Sequence, residues 1–215
     1  MNINWDADKY TSDFSFVHQY GNSVMELIDA SKNSTILDLG CGNGALSKAL
    51  HDKGYIVRGL DASKELLDIA KKNYPDIEFT LADATNFLLH EPVDVVFSNA
   101  VFHWIDKERQ PDVLKCVYNA LKEDGQFVFE FGGAGNNQLI HGALTQIFSE
   151  NKYKYNMPFY FPTIGEYTAL LEKAGFSVRY AVLFDRPTEL KGENGLKDWI
   201  KMFIITPFSV IDNKV

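Results

Sequence analysis

Asp38 stands two residues before three glycines at alternate positions, in Thr35-Ile36-Leu37-Asp38-Leu39-Gly40-Cys41-Gly42-Asn43-Gly44. An apolar run delivering such a loop to a helix that opens at Ala45 builds a ligand cradle. Glycines take positive φ and bring backbone close to a bound molecule, and the helix start offers unpaired N–H groups. The ligand is nucleotide-like. Gly40-x-Gly42-x-x-Ala45 also fits the dinucleotide fingerprint, whose helix start holds a pyrophosphate. The Asp38 charge, however, disfavours a pyrophosphate and suits an ammonium or a sulfonium. S-adenosylmethionine carries both.

Polar residues recur at the ends of the next three apolar runs. Tyr55–Leu60 reads as a second strand ending at Asp61, 17 residues past Gly44, where a carboxylate can accept both hydroxyls of a ribose. Ile77–Leu81 reads as a third, ending at Asp83, a candidate acceptor for an adenine amino group. Val93–Phe97 reads as a fourth and leads into Ser98-Asn99-Ala100-Val101-Phe102-His103-Trp104. In an open α/β sheet, ligands bind outside the carboxyl ends of the strands. All four candidates lie there.

His103 is the one titratable residue beyond these carboxylates in a suggestive place. It is either a general base or hydrogen-bond donor to a substrate, or a partly buried histidine that positions Trp104 or the cofactor. Trp104 itself is a pocket wall or plain core. Arg186, one of four arginines, could pair bidentately with a carboxylate.

This series of strand-end residues resembles the class I S-adenosylmethionine-dependent methyltransferases over nearly the whole chain. The resemblance implies a cofactor site made of Asp38, Gly40, Cys41 and Gly42 in the loop, Asp61 with Ala62, Asp83 with Ala84, Asn99, and Trp104. Trp5–Tyr10 with Phe16–Gly21, and the segment Asn99–Trp104, are similar to the trans-aconitate methyltransferase-like subgroup. That likeness alone adds Tyr10 and Gln19 near the cofactor and makes residues 136–162, rich in aromatics, a cap over the substrate. Tyr160, Arg186 and Trp199 become candidate substrate contacts, with a small carboxylic acid as one acceptor to consider.

Composition narrows the classes. With 21 Lys and Arg against 29 Asp and Glu, the net charge of −8 leaves no basic cluster for a nucleic acid. No basic-then-apolar leader opens the chain, and no run approaches the ~20 apolar residues of a membrane span, so a soluble, cytoplasmic protein is expected. Cys41 and Cys116 have no metal-ligand spacing and no disulfide framework, and no metal site is expected. At 215 residues, 1–215 reads as a single domain.

Strands alternating with helices over 35–131 predict a doubly wound, mainly parallel α/β sheet flanked by helices, the Rossmann-like methyltransferase fold. Ser63 caps a helix that stops before Pro75, and Pro111 opens another with Gly125 just past its end. Gln126–Phe131 reads as the fifth strand. A helix follows around Leu139, Ala143, Leu144 and Ile147, then a capping box at Thr163–Glu166, a sixth strand at Ser177–Phe184, and a final helix through Leu196, Trp199, Ile200 and Phe203. The family's seventh strand has no counterpart after Thr206-Pro207. A sheet left open there predicts a homodimer or a marginally stable monomer. Two other readings compete with a methyltransferase: a nicotinamide-dependent oxidoreductase, disfavoured by Asp38, and a non-catalytic S-adenosylmethionine-binding protein.

Overall fold

β1 (Thr35–Leu39) lies at the centre of a five-stranded sheet of order β3-β2-β1-β4-β5 in the computed structural model, which describes residues 21–211 apart from Asn22 and Lys191. The other strands are β2 (Ile56–Asp61), β3 (Glu78–Leu81), β4 (Val93–Asn99) and β5 (Leu121–Glu130), and every neighbouring pair is parallel. Strand order reverses between β1 and β4. The carboxyl ends diverge there and open the crevice in which such sheets bind ligands.

Side-chain alternation assigns the helices to two faces. α1 (Ala45–Asp52) and α2 (Lys64–Asn73) bury Leu46, Leu50, Leu67 and Ala70 against Ile36, Val57, Phe79, Val95 and Phe97. α3 (Gln110–Ala120) and α5 (Ile164–Lys173) cover the other face, where Val113, Leu114, Val117, Tyr167 and Leu171 meet Leu37, Leu39, Leu60 and Val96. The register of β1 on β4 is pinned at their amino ends, where Asp94 Oδ2 accepts from the Thr35 backbone N–H and hydroxyl, both at 2.7 Å. α4 (Gln138–Glu150) and α6 (Gly195–Phe203) lie beyond the carboxyl ends of the strands, joined to the rest through aromatic contacts.

The expected Ser63 cap is present, its hydroxyl accepting from Leu66 N at 3.3 Å. Four details differ from expectation. The Pro111 helix stops at Ala120 instead of Gly125, because Leu121 already pairs with Val93; the register then shifts, with Asp124 at φ 59°, before Gln126 meets Val95. α4 buries His141, Leu144 and Phe148, leaving Leu139 84 % exposed. Only half of the capping box forms: Thr163 accepts from Glu166 N, while the Glu166 carboxylate turns to Lys107 and Tyr160.

The fourth difference concerns Ser177–Phe184, which forms no ladder. Phe176 packs on Phe127 at 5.5 Å and a Cβ on Gly133 would meet Leu183, so the segment passes along β5 without pairing to it. With no strand between them among the described residues, Tyr180, Val182, Leu183 and Phe184 stay exposed.

Candidate functional site

The loop after β1 is shaped by what it cannot hold. Gly40 has φ +77°, and a Cβ there would lie 2.2 Å from Val101 Cγ2; at Gly44, φ +80°, it would lie 2.8 Å from Phe79 Cζ. Neither position admits a side chain. Gly40 N and Cys41 N both donate to Leu60 O, at 2.7 and 3.1 Å, which ties the loop to β2. The Cys41 side chain packs in the core, where burial pushes its thiol pKa up.

Asp38 is buried beneath this loop, its Oδ2 accepting from the Ser47 hydroxyl of α1 at 2.6 Å. Burial outweighs that bond and, helped by the nearby Asp61 charge, pushes the Asp38 pKa up to about 7. An acid so placed gains most from a cationic ligand.

Asp61, at the end of β2, is a clamp. Its Oδ2 accepts from Gly42 N and its Oδ1 from Ser63 N, both at 2.8 Å, which joins the glycine loop to the start of α2. Burial raises its pKa, opposed by those N–H groups and by the Ala62 amide. A carboxylate has about four acceptor directions, so both oxygens can take further donors. Asp83, just past β3, bonds Thr85 N at 2.8 Å and the Thr85 hydroxyl at 2.6 Å through Oδ1. Burial would raise its pKa, but the Thr85 bonds and the Arg109 charge bring it below the usual value. Ala62 and Ala84 follow these two acids, and the buried Asn99 ends β4, whose Ser98 hydroxyl donates to Leu39 O of β1 at 2.7 Å.

Past Asn99 the chain turns sharply. Ala100 takes φ +61° while its N–H donates to Glu130 O at 2.7 Å, and Phe102–Trp104 wind into one 3₁₀ turn. Phe102 beds edge-on against Phe127, Phe129 and Phe131 of the β5 region. Fully buried Gln110 braces the turn from below: its Nε2 donates to Phe102 O at 2.9 Å and Ile105 O at 2.8 Å, and its Oε1 accepts from Tyr167 Oη at 3.0 Å.

His103 rides on this turn. Its Nδ1 accepts from Gly132 N at 3.2 Å, and its ring lies 5.3 Å from Trp104 and 5.8 Å from both Phe159 and Phe161. That surrounding pushes its pKa down to about 3 by burial. The imidazole is neutral at any working pH. Since Nδ1 is an acceptor, the proton sits on Nε2 and the ring is a hydrogen-bond donor.

Trp104 is 4.7 Å from Phe159 and 6.1 Å from Phe203, which in turn meets Trp199 at 5.5 Å. The fold therefore brings His103, Trp104 and, through Phe203, Trp199 into one aromatic enclosure. Two other sequence candidates already have partners for their side chains: Tyr160, whose N–H donates to His103 O at 3.0 Å, donates its Oη to Glu166 at 3.0 Å, and Arg186 grips Glu130 with both terminal guanidinium nitrogens. Tyr10 and Gln19 lie outside the described residues. Sequence reading missed Gln110 and the buried His141; the one signal for each was a polar residue standing on an apolar helix face. Among the described residues no group of three or more His, Cys, Asp or Glu could hold a metal, and no helix is long and apolar enough to cross a membrane.

Residues 36–125 match the family model of a methyltransferase domain. Over 210 residues the chain is 33 % identical to an uncharacterised methyltransferase of Schizosaccharomyces pombe, spanning 93 % of this chain and 80 % of that protein. It is 22 % identical over 213 residues to a trans-aconitate 2-methyltransferase of Rhizobium etli, spanning 95 % of this chain and 81 % of the relative. Among solved structures, the putative methyltransferase in complex with the Haloferax volcanii Trm112 methyltransferase activator superposes with a TM-score of 0.68 at 20 % identity, over 89 % of this chain and 85 % of that one.

Proposed function

The chain belongs to the S-adenosylmethionine-dependent methyltransferases, and from that premise we propose that it methylates a carboxylate oxygen of a small molecule. The reading of a nicotinamide enzyme falls with the family. When bound, S-adenosylmethionine supplies a methyl group on a sulfonium, whose carbon–sulfur bond breaks as the nucleophile's bond to carbon forms.

Asp38 takes the cofactor's ammonium, Asp61 its ribose hydroxyls and Asp83 its adenine amino group, while Gly40, Cys41 and Gly42 present backbone. Ala62, Ala84 and Asn99 line the same trough. The residues fit the group, because the loop is free of Cβ atoms where backbone must approach and the charges below it are anionic. Trp104 separates this half from the acceptor half, and residues 136–162 close over the acceptor. Water is excluded by the rings of Trp104, Phe159 and Phe161, and alignment of this kind can supply ~7–11 kcal/mol of barrier.

The observation that carries the acceptor assignment is His103. With Nδ1 occupied by Gly132 N–H and the pKa held at about 3, it cannot take a proton from a nucleophile near neutrality. A carboxylate needs no such help, being ionised above ~4, and His103 Nε2–H can orient it. The trans-aconitate relative supports the same class. Activity from pH 6 to 8 should be nearly flat once the cofactor is saturating, and His103→Ala should retain activity within about tenfold. A rate that climbs with pH, together with a His103→Ala variant that binds cofactor but has lost 10²–10⁴-fold in rate, would identify His103 as a general base and overturn the assignment.

A further inference from the structure

His141 is 7 % exposed on the inner face of α4. Its Nδ1 lies 2.7 Å from Tyr155 Oη, and its Nε2 is buried with no hydrogen-bond partner among the described residues. Burial lowers its pKa and pushes that of Tyr155 up to about 12, so both groups are neutral. A buried imidazole nitrogen left unsatisfied is costly, and an apolar residue would fill the same space without that cost.

The location gives the group a use. His141 packs on Phe159 at 5.7 Å and on Phe161 at 6.2 Å, the same two stacked rings that pack on His103. Two neutral imidazoles thus share one aromatic pair. Among the described residues, cations on the surrounding segments are engaged elsewhere or exposed: Lys107 with Glu166, Arg186 with Glu130, and Lys152, Lys154, Lys197 and Lys201 toward solvent. A desolvated polyanion in such surroundings would lack compensating charge.

Resting on the carboxylate reading above, we propose that His141 is a specificity residue and that the acceptor is a monocarboxylate with a flat, apolar body and a second, neutral oxygen. His103 Nε2–H takes the carboxylate. The Tyr155 hydroxyl donates to His141 Nδ1, which sets the proton on Nε2, and Nε2–H donates to the hydroxyl or carbonyl oxygen at the far end of the acceptor. The tricarboxylate of the Rhizobium etli relative does not fit this description.

Transfer of labelled methyl to 4-hydroxycinnamate, cinnamate and trans-aconitate tests the proposal, with S-adenosylhomocysteine affinity measured in parallel. The wild type should favour 4-hydroxycinnamate over trans-aconitate by at least about tenfold. His141→Phe should lower kcat/KM for 4-hydroxycinnamate by about 5- to 150-fold, chiefly through KM, with cinnamate and S-adenosylhomocysteine nearly unaffected. Its melting temperature should change little, since removal of the unsatisfied Nε2 offsets the loss of the Tyr155 hydroxyl's acceptor. Tyr155→Phe, which keeps the ring but frees the tautomer, should give a smaller loss of the same kind. A preference for trans-aconitate, or equal losses on 4-hydroxycinnamate and cinnamate, would overturn the role of His141 alone. If S-adenosylhomocysteine binds and none of the three acids is methylated, the carboxylate reading falls and this inference with it.

Discussion

The half of the crevice built by β1, β2 and β3 is polar and held by the main chain, whereas the half above β4 and β5 is held by rings. In the first half each site residue is fixed by partners no more than 19 positions away in sequence: Asp61 by Gly42 and Ser63, Asp83 by Thr85, Asp38 by Ser47. In the second, the partners are far apart: His103 with Gly132 and Phe161, Gln110 with Tyr167, Trp104 with Phe203. On the proposed assignment of the halves, a cofactor common to a whole family is served by local geometry that any chain can repeat, and an acceptor particular to one enzyme by long-range packing that each chain must build for itself.

Substitutions that affect one half and spare the other would sharpen that contrast. The largest effect is expected from Gly40→Ala, which asks an L residue to hold φ +77° against Val101. Backbone strain of about 1–3 kcal/mol and overpacking of similar size should together lower the melting temperature by on the order of 10 °C. Loss of S-adenosylhomocysteine binding in calorimetry should accompany it. Next comes Asp61→Ala, which removes the proposed ribose acceptor and should weaken that binding by about 10- to 150-fold. Acceptor KM at saturating cofactor should not move. Unchanged cofactor affinity in a folded Asp61→Ala variant would break the comparison at its better-defined end.

Tyr167→Phe addresses the ring side from below. It strips Gln110 Oε1 of its donor and should cost about 1–3 kcal/mol of stability. Its readout is a lower kcat/KM with cofactor affinity intact, because Gln110 also holds the carbonyls of Phe102 and Ile105 on either side of His103 and Trp104. Equal damage to cofactor affinity would show that the halves are not separable.

The smallest effect is a pH trend in the cofactor half. The folded pKa of Asp38, about 7, exceeds the unfolded value near 4, so between these limits the folded state binds the extra proton. Its contribution to stability is full below pH 4 and is lost as pH rises to 7. From pH 5.5 to 7 the empty protein should lose at most about 1.4 kcal/mol per pH unit from this group, the slope falling to about half that as pH reaches 7, read as a melting temperature falling by a few degrees. Asp38→Asn should flatten the slope.

The same division governs what could be read from the chain. The placement of the glycine loop, Asp61 and Asp83 at strand ends was legible because tight turns and strand ends constrain residue type within a few positions. Ser63 was legible for the same reason. His141 was not: Leu139 and Ile147 match a helical period as well as Leu144 does, and only tertiary packing turns the His141 face inward. Ser177–Phe184 misled for a related cause, since alternating apolar residues favour a strand but a strand needs a neighbour with free donors and acceptors. Arg186 carried the right chemistry for a carboxylate, and the fold spends it on Glu130.

Ala100 bears on how this enzyme could be engineered. A left-handed alanine costs about 1–2 kcal/mol that glycine would not, so Ala100→Gly looks like a stabilising change. Glycine would also return up to about 1 kcal/mol of freedom to the unfolded chain and to the loop that carries Val101, His103 and Trp104. The second term offsets only part of the first, so Ala100→Gly would gain roughly 1 kcal/mol of stability while loosening the turn that carries His103 and Trp104, and heat resistance and turnover would be selected in opposite directions at this one position.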